Sequence, residues 1–538
     1  MFTYAQEHKP VVAYLVEEFK LDRASLTALL YEPERFRDFF CDRFHLPTSA
    51  TIAEIDRFID KLIAEKFIEV RQGRMQPGWA IDAAAWNRLP DLRPQIRARS
   101  SLLSPIDPKV LAGGHDRVAV WRRTGSCWFN VVWEPVPGKP TRMMIDDPRF
   151  TGREFVHFIS NNVLGLAMDP RVIAAANAAN QKYGTSASGS SALSGRRRLH
   201  VELEQALCRY KLGAAYDPKL HECMILPMGF ITNVAVCASL ANDSLVITDE
   251  EIHNSVITGL QSVRSAKPDI LVQRFDHNSV VKLRQILVDN AKAVDEDKAV
   301  GRTELKSRKG RKAIAIYIES VYSMRGDLAP LGEIFELARE FGARVIIDEA
   351  HSTGVLGPSG HGILEELSIP APESLWLRIG TLSKTLASEG GYVIGPRFVI
   401  DGIRHSANAA IFGAMLPPSC AAASLEALRI MEAEPQLVNQ LRRNVNHFLL
   451  GINGSGLDTL KARTHIVPIR VYNEDNMTAM FESLLREGFV VSAVPTPAVR
   501  NKGDEILRIG ISAQHSLEEL DGLIAALKKA AKQVGLIE

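Results

Sequence analysis

Cysteine is scarce in this chain and is never spaced as metal or disulfide sites require. Only six cysteines occur among 538 residues, and no two of them form a CxxC motif. Disulfide-stapled secreted proteins and zinc-ribbon proteins both carry clustered cysteines. The scatter therefore predicts reduced, mostly buried thiols in a cytoplasmic protein without a structural zinc site. The six are Cys41, Cys127, Cys208, Cys223, Cys237 and Cys420.

An excess of charge of either sign is also missing. Lys and Arg total 64 against 63 Asp and Glu, so no overall field favours nucleic acid or an anionic membrane. No uncharged apolar run approaches the roughly 20 residues that cross a bilayer, and residues 1–9 lack the apolar run of a signal peptide. We therefore expect no nucleic-acid partner and no membrane span. The 46% of hydrophobic and 24% of charged residues are typical of a soluble, multidomain globular protein.

The first hundred residues predict a helical module followed by a hairpin. Apolar residues recur at three-to-four spacing in 11–19 and 52–67, as they do on one face of a helix. Residues 67–81 indicate a short hairpin. This order fits a winged-helix module and equally many other small modules. We assign 1–105 to an N-terminal, mainly helical module of unknown role and 106–150 to connecting strands.

From about residue 155 short apolar runs alternate with helical patterns. This alternation predicts an α/β domain whose mostly parallel central sheet is buried on both faces. We place this large domain at 151–415, and a smaller C-terminal α+β domain, which begins with a long helix over 421–434, at 416–538. The strand-like runs begin at Met224, Leu245, Ile270, Ala313 and Arg344, and the smaller domain is predicted to contain strands at 466–471, 489–494 and 506–511 and a helix at 477–487.

Three segments place reactive side chains where strands of the large domain should end, which is where open α/β sheets bind ligands. An apolar run at 345–347 leads into Asp348, with His351 three residues on. A buried acid there is costly unless it has a cationic partner, and a protonated pyridine nitrogen would serve. Lys384 follows 36 residues after Asp348, a gap that one helix and one strand would fill. Gly229 would open a helix whose backbone amides face a phosphate.

The letters Asp-Glu-Ala-His at 348–351 also occur in a class of nucleic-acid helicases. That alternative requires a phosphate loop of the form GxxxxGK[ST]. The nearest candidate, Gly380 to Thr385, lacks the glycine before Lys384 and has the wrong spacing. The sequence therefore disfavours a helicase.

Together, these segments resemble the α-oxoamine synthases, a family of fold-type I pyridoxal-phosphate (PLP) enzymes. Members include 5-aminolevulinate synthase, 8-amino-7-oxononanoate synthase, 2-amino-3-ketobutyrate ligase and serine palmitoyltransferase. The resemblance covers about residues 150–535 and says nothing about the N-terminal module. It rests on four motifs that occur in family order, namely Phe158 to Leu166, Glu319 to Leu331, Asp348 to Gly362 and the segment around Lys384.

The resemblance implies roles for the matching residues. Lys384 would hold the cofactor covalently and later remove the Cα proton. Asp348 would pair with the pyridine N–H, and His253 would stack on the ring. Arg508 would bind the substrate carboxylate, because a guanidinium fork offers two parallel hydrogen bonds. The other implied assignments are His351 and Ser323 near the phenolic oxygen, Gly229, Phe230 and Thr381 at the phosphate, Glu319 in the cofactor pocket, and Asn161 and Ser190 at the substrate.

The sequence departs from the family pattern at three places around the substrate and phosphate pockets. The usual glycine-threonine-arginine run is replaced by Gly-Ser-Ser at 189–191, and the usual Thr-Thr-Ser before Leu416 by Gly-Ala-Met at 413–415. The usual arginine two residues before Arg508 is Ile506. Family members use a hydroxyl of the second run to reach the phosphate of the neighbouring subunit. These changes predict an unusual substrate or weaker retention of the cofactor.

The activity that the resemblance implies is a PLP-dependent, decarboxylating condensation of a small amino acid with an acyl thioester. The products would be an α-amino ketone, carbon dioxide and a free thiol. Glycine, alanine and serine remain open as the amino acid, and coenzyme A and acyl-carrier protein as the acyl carrier. A homodimer is implied because the family's cofactor pocket lies at the subunit interface. Two alternatives stay open: another fold-type I PLP enzyme such as an aminotransferase, and a scaffold or regulatory protein that acts through its N-terminal module.

Overall fold

The computed structural model describes residues 68–71, 74–77, 131–146, 150–302, 309–496, 499 and 501–538. The chain divides into two compact units, Met1–Phe129 and Asn130–Glu538. In the first unit, strands β1 (Ile68–Arg71) and β2 (Arg74–Pro77) pair antiparallel. This pairing confirms the hairpin predicted within residues 67–81.

The other predictions for the N-terminal module lie outside the described residues. They are the helices at 11–19 and 52–67 and the winged-helix order built from them. Of the connecting strands predicted within 106–150, the structure describes β3 (Trp133–Val136) and β4 (Lys139–Ile145), which pair antiparallel. Strand β5 (Glu154–His157) then pairs antiparallel with β4.

A seven-stranded sheet forms the centre of the second unit. Its strands are β6 (His221–Leu226), β7 (Ser244–Asp249), β8 (Leu271–Phe275), β9 (Ala313–Glu319), β10 (Arg344–Asp348), β11 (Leu375–Thr381) and β12 (Gly391–Pro396). Their order across the sheet is β6-β12-β11-β10-β9-β7-β8. Neighbours from β11 to β8 are parallel, and β12 runs antiparallel to both β11 and β6. The mostly parallel sheet predicted from the apolar runs is therefore confirmed.

Helices cover the sheet and build the rest of this unit. In chain order they are α1 (Pro170–Tyr183), α2 (Arg198–Leu212), α3 (Gly229–Ser239), α4 (Asn254–Val263), α5 (Val280–Ala299), α6 (Leu331–Phe341), α7 (Ile363–Glu366), α8 (Arg397–Ser406), α9 (Asn408–Ile411), α10 (Pro418–Ala433), α11 (Gln436–Ile452), α12 (Glu474–Glu487) and α13 (Leu517–Gln533). Among the described helices, none is long and apolar enough to cross a bilayer.

A hydrophobic core between the sheet and helices α3, α4 and α8 fixes the strands in place. It is built from fully buried aliphatic side chains such as Val236, Val246, Leu260, Ile346 and Ile400. Each such side chain contributes about 1.5–3 kcal/mol on burial. Slipping a strand by one residue would turn its side chains to the opposite face, so the core also fixes where each strand ends.

The C-terminal segment differs from the prediction at one strand. Four strands form there: β13 (Ile466–Arg470), β14 (Phe489–Val490), β15 (Ser492–Val494) and β16 (Ile506–Gly510). A single strand over 489–494 is wrong, because β14 pairs parallel with β5 whereas β15 pairs antiparallel with β16. The chain leaves one sheet and enters another at Val491, so the residues before and after it form hydrogen bonds with different strands. The resulting sheets have the orders β13-β16-β15 and β14-β5-β4-β3.

The described cysteines match the expectation of reduced, mostly buried thiols. Cys208, Cys223 and Cys237 are buried free thiols, and Cys420 is a free thiol that is partly exposed. Cys41 and Cys127 lie outside the described residues.

Candidate active site

The ends of neighbouring strands bring the predicted reactive residues to one edge of the sheet. Glu319 ends β9 and lies directly opposite Asp348, the last residue of β10. Asp348 in turn pairs with Ile379 of β11, which ends two residues later at Thr381. Because parallel strands end at the same edge, the loops that follow them carry their side chains into one region.

Lys384 lies in this region beside a histidine. Its Nζ is 2.7 Å from Nε2 of His351, the residue predicted three positions after Asp348. Burial lowers the pKa of Lys384 to about 8, although the carboxylate of Asp348 opposes the shift. Burial and the nearby Lys384 charge hold the pKa of His351 well below its usual range. A neutral imidazole therefore adjoins an amine that loses its proton near neutral pH, as a general base requires.

The Asp348 carboxylate is held in a chain of hydrogen bonds. Its Oδ1 accepts from the backbone N–H of Ala350 at 2.9 Å, and its Oδ2 accepts from Asn233 Nδ2 at 2.8 Å. Asn233 also donates to Ser255 Oγ at 2.7 Å and accepts from the Tyr317 hydroxyl at 2.6 Å. Such a network fixes the orientation of a buried carboxylate before any ligand binds.

His253 belongs to the same network and faces an aromatic ring. Its Nδ1 lies 2.7 Å from Ser255 Oγ and accepts from the Ser255 backbone N–H, which caps the start of α4. Burial lowers its pKa, so the ring favours the neutral form. The Phe230 ring packs edge-on against it at a centroid distance of 6.3 Å. The contacts with Ser255 thus fix Nδ1 of His253, and the imidazole ring lies beside Phe230.

A glycine opens helix α3 next to two hydroxyl groups. Gly229 is the first residue of α3, and no side chain caps the helix N-terminus. A Cβ at Gly229 would lie 3.0 Å from Thr381 Oγ1, which is itself 2.7 Å from Ser383 Oγ. Uncapped backbone N–H groups and hydroxyls at a helix N-terminus form an anion site. These residues fit the phosphate of a PLP cofactor.

Glu319 differs electrostatically from its neighbour Asp348. Burial, reinforced by the Asp348 charge, raises the pKa of Glu319 well above its usual range. The paired strands thus end in two acids of which Glu319 favours the neutral form, the usual solution when two carboxyl groups share a buried site.

Arg508 reaches the region from the smaller sheet. It lies on β16, where it pairs with Pro468 of β13, and its side chain is almost fully buried. Its Nε donates to the Ser323 carbonyl at 2.8 Å. Burial lowers the pKa of Arg508 to about 10, which leaves the guanidinium charged at neutral pH. A buried cation that uses its Nε in this bond can offer its terminal nitrogens to a carboxylate ligand.

The two other predicted substrate residues lie in loops before and after α1. Asn161 is exposed in the loop after β5. Ser190 forms a backbone bridge with Ala414, and Ser191 Oγ donates to the Ala410 carbonyl at 3.4 Å. Among the described residues, neither Asn161 nor Ser190 has a side-chain hydrogen bond to Lys384 or Asp348. The two departures from the family pattern, at 189–191 and 413–415, therefore pack against each other.

A buried ion network supports the segment that carries Asp348 and His351. Glu349 accepts from Arg378 Nε at 2.7 Å and lies 3.2 Å from Lys211 Nζ. Burial raises and the two cations lower the pKa of Glu349, with a net decrease, whereas burial lowers the pKa of Lys211 to about 7. Removing one partner of such a group leaves an uncompensated buried charge, so the network holds its segment rigidly.

A histidine between two carboxylates ties down the 320–330 loop, which carries Ser323. His277, two residues after β8, has Nδ1 3.0 Å from Asp249 Oδ1 and Nε2 2.8 Å from Asp327 Oδ2. Although burial lowers it, these hydrogen bonds raise the pKa of His277 to about 9. The charged imidazole thereby bridges the end of β7 and the 320–330 loop, and positions the carbonyl that holds Arg508.

These contacts predict a stability that falls with rising pH. The folded protein binds the His277 proton more tightly than the unfolded chain does. The stabilisation that this proton gives the folded state is therefore complete below pH 6.5 and is lost as the pH rises through about 9. It is on the order of 3 kcal/mol. Urea denaturation of the wild type and His277→Gln should show a stability difference that shrinks across this range. A constant difference would contradict the assignment; His447→Gln, at a partly exposed histidine paired with Asp521, is the control.

Sequence reasoning missed three buried polar residues of this region. Asn233 and Tyr317 orient Asp348, and His465, the residue before β13, lies near Lys384 and Arg508. Asn233 carried a usable signal, since a polar residue one turn after Gly229 would face the same strand ends. Tyr317 and His465 carried none, because each looks like an ordinary member of an apolar strand or its flank.

The fold and this site together define a class of protein. Lys384, the strand-end acid Asp348 and the neutral His351 lie at one edge of a mostly parallel seven-stranded sheet. The same region contains the N-terminus of α3, which no side chain caps. This is the arrangement of a fold-type I PLP-dependent transferase.

Comparisons with known proteins specify the class further. The family model described as aminotransferase class I and II matches residues 153–527. The 8-amino-7-oxononanoate synthase of Symbiobacterium thermophilum is 33% identical over 402 residues, which are 74% of this chain and 93% of that protein. The same enzyme of Thermosipho melanesiensis is 33% identical over 387 residues, 72% of this chain and 90% of that protein.

Solved structures agree with the sequence relatives. A lysine-to-alanine variant of serine palmitoyltransferase from S. paucimobilis, with a bound PLP–myriocin aldimine, matches 80% of this chain and 99% of that chain with a TM-score of 0.69 and 28% identity. The Sphingomonas wittichii serine palmitoyltransferase matches 81% of this chain and all of that chain, with a TM-score of 0.69 and 26% identity. The chain belongs to the aminotransferase class I and II family and, within it, to the PLP-dependent α-oxoamine synthases.

Proposed function

We propose that this enzyme condenses glycine, alanine or serine with an acyl thioester and releases carbon dioxide and the free thiol. A PLP-dependent condensation of this kind follows from membership of the α-oxoamine synthases, whereas the substrates are our inference. The observation that carries the proposal is the contact between Lys384 and the neutral His351, with the buried Arg508 in the same region. A base and a residue that can bind a carboxylate thereby lie in the same region.

The site residues divide this work between binding and proton transfer. When bound, PLP supplies an electron-accepting ring that stabilises negative charge at the substrate Cα. Its phosphate is assigned to the N-terminus of α3 with Gly229, Phe230 and Thr381, and its pyridine N–H to Asp348. His253 would lie against the ring face. The hydrogen bonds to Asn233 and Ala350 fix the orientation of the Asp348 carboxylate, which would accept from that N–H.

Lys384 is the proposed base at Cα. With a pKa lowered to about 8, a usable fraction of its amine is neutral at physiological pH and can accept the proton at Nζ. The neutral His351 next to it adds no further positive charge. Arg508 binds the amino-acid carboxylate and so orients the Cα–H bond, because holding the reacting groups in place lowers the entropy cost of the step.

Asn161 and Ser190 are proposed to contribute to the substrate pocket from its outer side. Asn161 is exposed, and the Ser190 hydroxyl is buried without a partner among the described residues. We propose a homodimer in which a second copy completes the pocket, as the resemblance to the α-oxoamine synthases implies. The acyl carrier is coenzyme A or an acyl-carrier protein.

One screen tests the proposed function directly. Glycine, alanine and serine, each labelled at the carboxyl carbon, are incubated with short and long acyl thioesters of coenzyme A and of acyl-carrier protein. We expect labelled carbon dioxide and free thiol in equal amounts, and only when both substrates are present. An aminotransferase would instead give a keto acid and pyridoxamine phosphate without thiol release, and that result would overturn the proposal.

A further inference from the structure

His465 is buried with neither ring nitrogen bonded. It precedes β13, its side chain is 3% exposed, and in the described parts of the chain neither Nδ1 nor Nε2 has a hydrogen-bond partner. Leaving a buried polar group unpaired costs about 1–3 kcal/mol. Buried groups without a partner in the folded chain are therefore candidates for binding something else.

Other buried histidines in the described ranges do not share this feature. His515 accepts the Ser512 backbone N–H at Nδ1, and its Nε2 is 3.0 Å from the His157 carbonyl. His200 accepts the Arg197 N–H at Nδ1, and its Nε2 is 2.9 Å from the Leu416 carbonyl. In both rings, each nitrogen takes part in a hydrogen bond, and these bonds connect two segments of the chain. His465 has no such structural use for its nitrogens.

The surroundings of His465 are those of the active site. Its ring centroid is 6.0 Å from that of His351, whose Nε2 contacts Lys384. Burial, together with the positive charges of Arg508 and Lys384, lowers the pKa of His465 to about 3. The ring is therefore a neutral donor and acceptor that faces two cations.

The same loop holds both His465 and Arg508 in position. Thr464 Oγ1 donates to the Gly326 carbonyl at 3.0 Å, and Arg508 Nε donates to the Ser323 carbonyl at 2.8 Å. A Cβ at Gly326 would lie 1.9 Å from the Ile466 carbonyl oxygen, so the loop touches the start of β13 directly. The imidazole and the guanidinium are thus fixed relative to one another by a shared support.

We propose that His465 is a second ligand of the substrate carboxylate, donating one ring N–H to a carboxylate oxygen that Arg508 also binds. The inference rests on the proposed function, because it takes an amino acid as the ligand. A carboxylate offers about four lone-pair sites, more than one guanidinium edge fills. The negative charge of the carboxylate would also offset the two positive charges, of Arg508 and Lys384, that lie near the His465 ring.

The test measures the preference of the holoenzyme for a carboxylate. Calorimetry gives the dissociation constants of glycine, alanine and serine and of the matching amines without the carboxylate: methylamine, ethylamine and ethanolamine. The ratio of amine to amino-acid dissociation constants is the carboxylate preference. We expect His465→Leu to reduce this preference about 10- to 100-fold, the loss expected for a hydrogen bond to a charged group, while the binding of the amine is unchanged. A leucine variant that keeps the wild-type ratio would overturn the inference.

Further variants separate this outcome from misfolding and from failure of the proposed function. His515→Leu, at a buried histidine with both nitrogens hydrogen-bonded, should lower the thermal midpoint without changing the ratio. If His465→Leu does not fold, His465→Phe and His465→Ala, which also lack a donor, carry the test: a reduced ratio in either supports the contact, and wild-type ratios in both refute it. A wild type with no preference for any amino acid over its amine would instead count against the proposed function.

Discussion

Replacing Lys384 by alanine is expected to reduce thiol and carbon dioxide release by about 10³-fold or more, because it removes both the covalent link and the proton acceptor. Nζ of Lys384 contacts His351, and no other lysine in the described chain shares this contact. We expect the variant to retain the cofactor, since the α3 N-terminus, Thr381 and Asp348 remain. Release of both products is followed in a turnover assay, and the cofactor is counted by absorbance after dialysis.

Two controls make this result specific. Lys282→Ala changes an exposed lysine at the start of α5 and should leave turnover and cofactor content unchanged. Adding a small primary amine to Lys384→Ala should restore part of the rate, because it returns an amine to the space left empty. Wild-type turnover by Lys384→Ala would show that another group removes the proton and would end the assignment of Lys384.

The sequence was sufficient to predict the sheet that positions these residues. Buried parallel strands leave nearly continuous apolar runs, so β6 to β10 could be located before their order was known. Their order across the sheet could not, because periodicity reports which faces are buried and not which strand lies next to which. β12 pairs with its near neighbour in sequence, β11, but its place in the sheet also depends on antiparallel pairing with β6, whose residues lie more than a hundred positions earlier.

Residues with reactive side chains were also easier to predict than those that hold them. Lys384, Asp348 and His351 carry motifs that match a family, whereas Asn233 and Tyr317 act only through contacts made after folding. The same limit explains the error at 489–494, where the apolar pattern is continuous although the chain changes sheets at Val491. The local sequence pattern indicates which residues are buried, whereas the strand with which a segment pairs is decided only when the whole unit folds.

Asp348→Asn is expected to reduce product formation by about 10²-fold or more, the usual effect of removing one preorganised electrostatic contact in an active site. The amide is nearly the same size but carries no charge to pair with a pyridine N–H. It also offers one acceptor oxygen where the carboxylate accepts from both Asn233 and Ala350, so one of these bonds is lost. Release of thiol and labelled carbon dioxide measures the rate, and dialysis measures the weaker retention of the cofactor.

The neighbouring acid supplies the matched comparison for this prediction. Glu319 lies directly opposite Asp348 and is equally buried, but burial and the Asp348 charge raise its pKa so that it favours the neutral acid. Glu319→Gln therefore replaces one neutral group by another and should cost far less activity than Asp348→Asn, although both changes convert an acid to its amide. Asp289→Asn, on the exposed side of α5, should have no effect. If the two buried variants lost activity equally, the charge of Asp348 would not be the property that matters, and its pairing with the cofactor nitrogen would have to be abandoned.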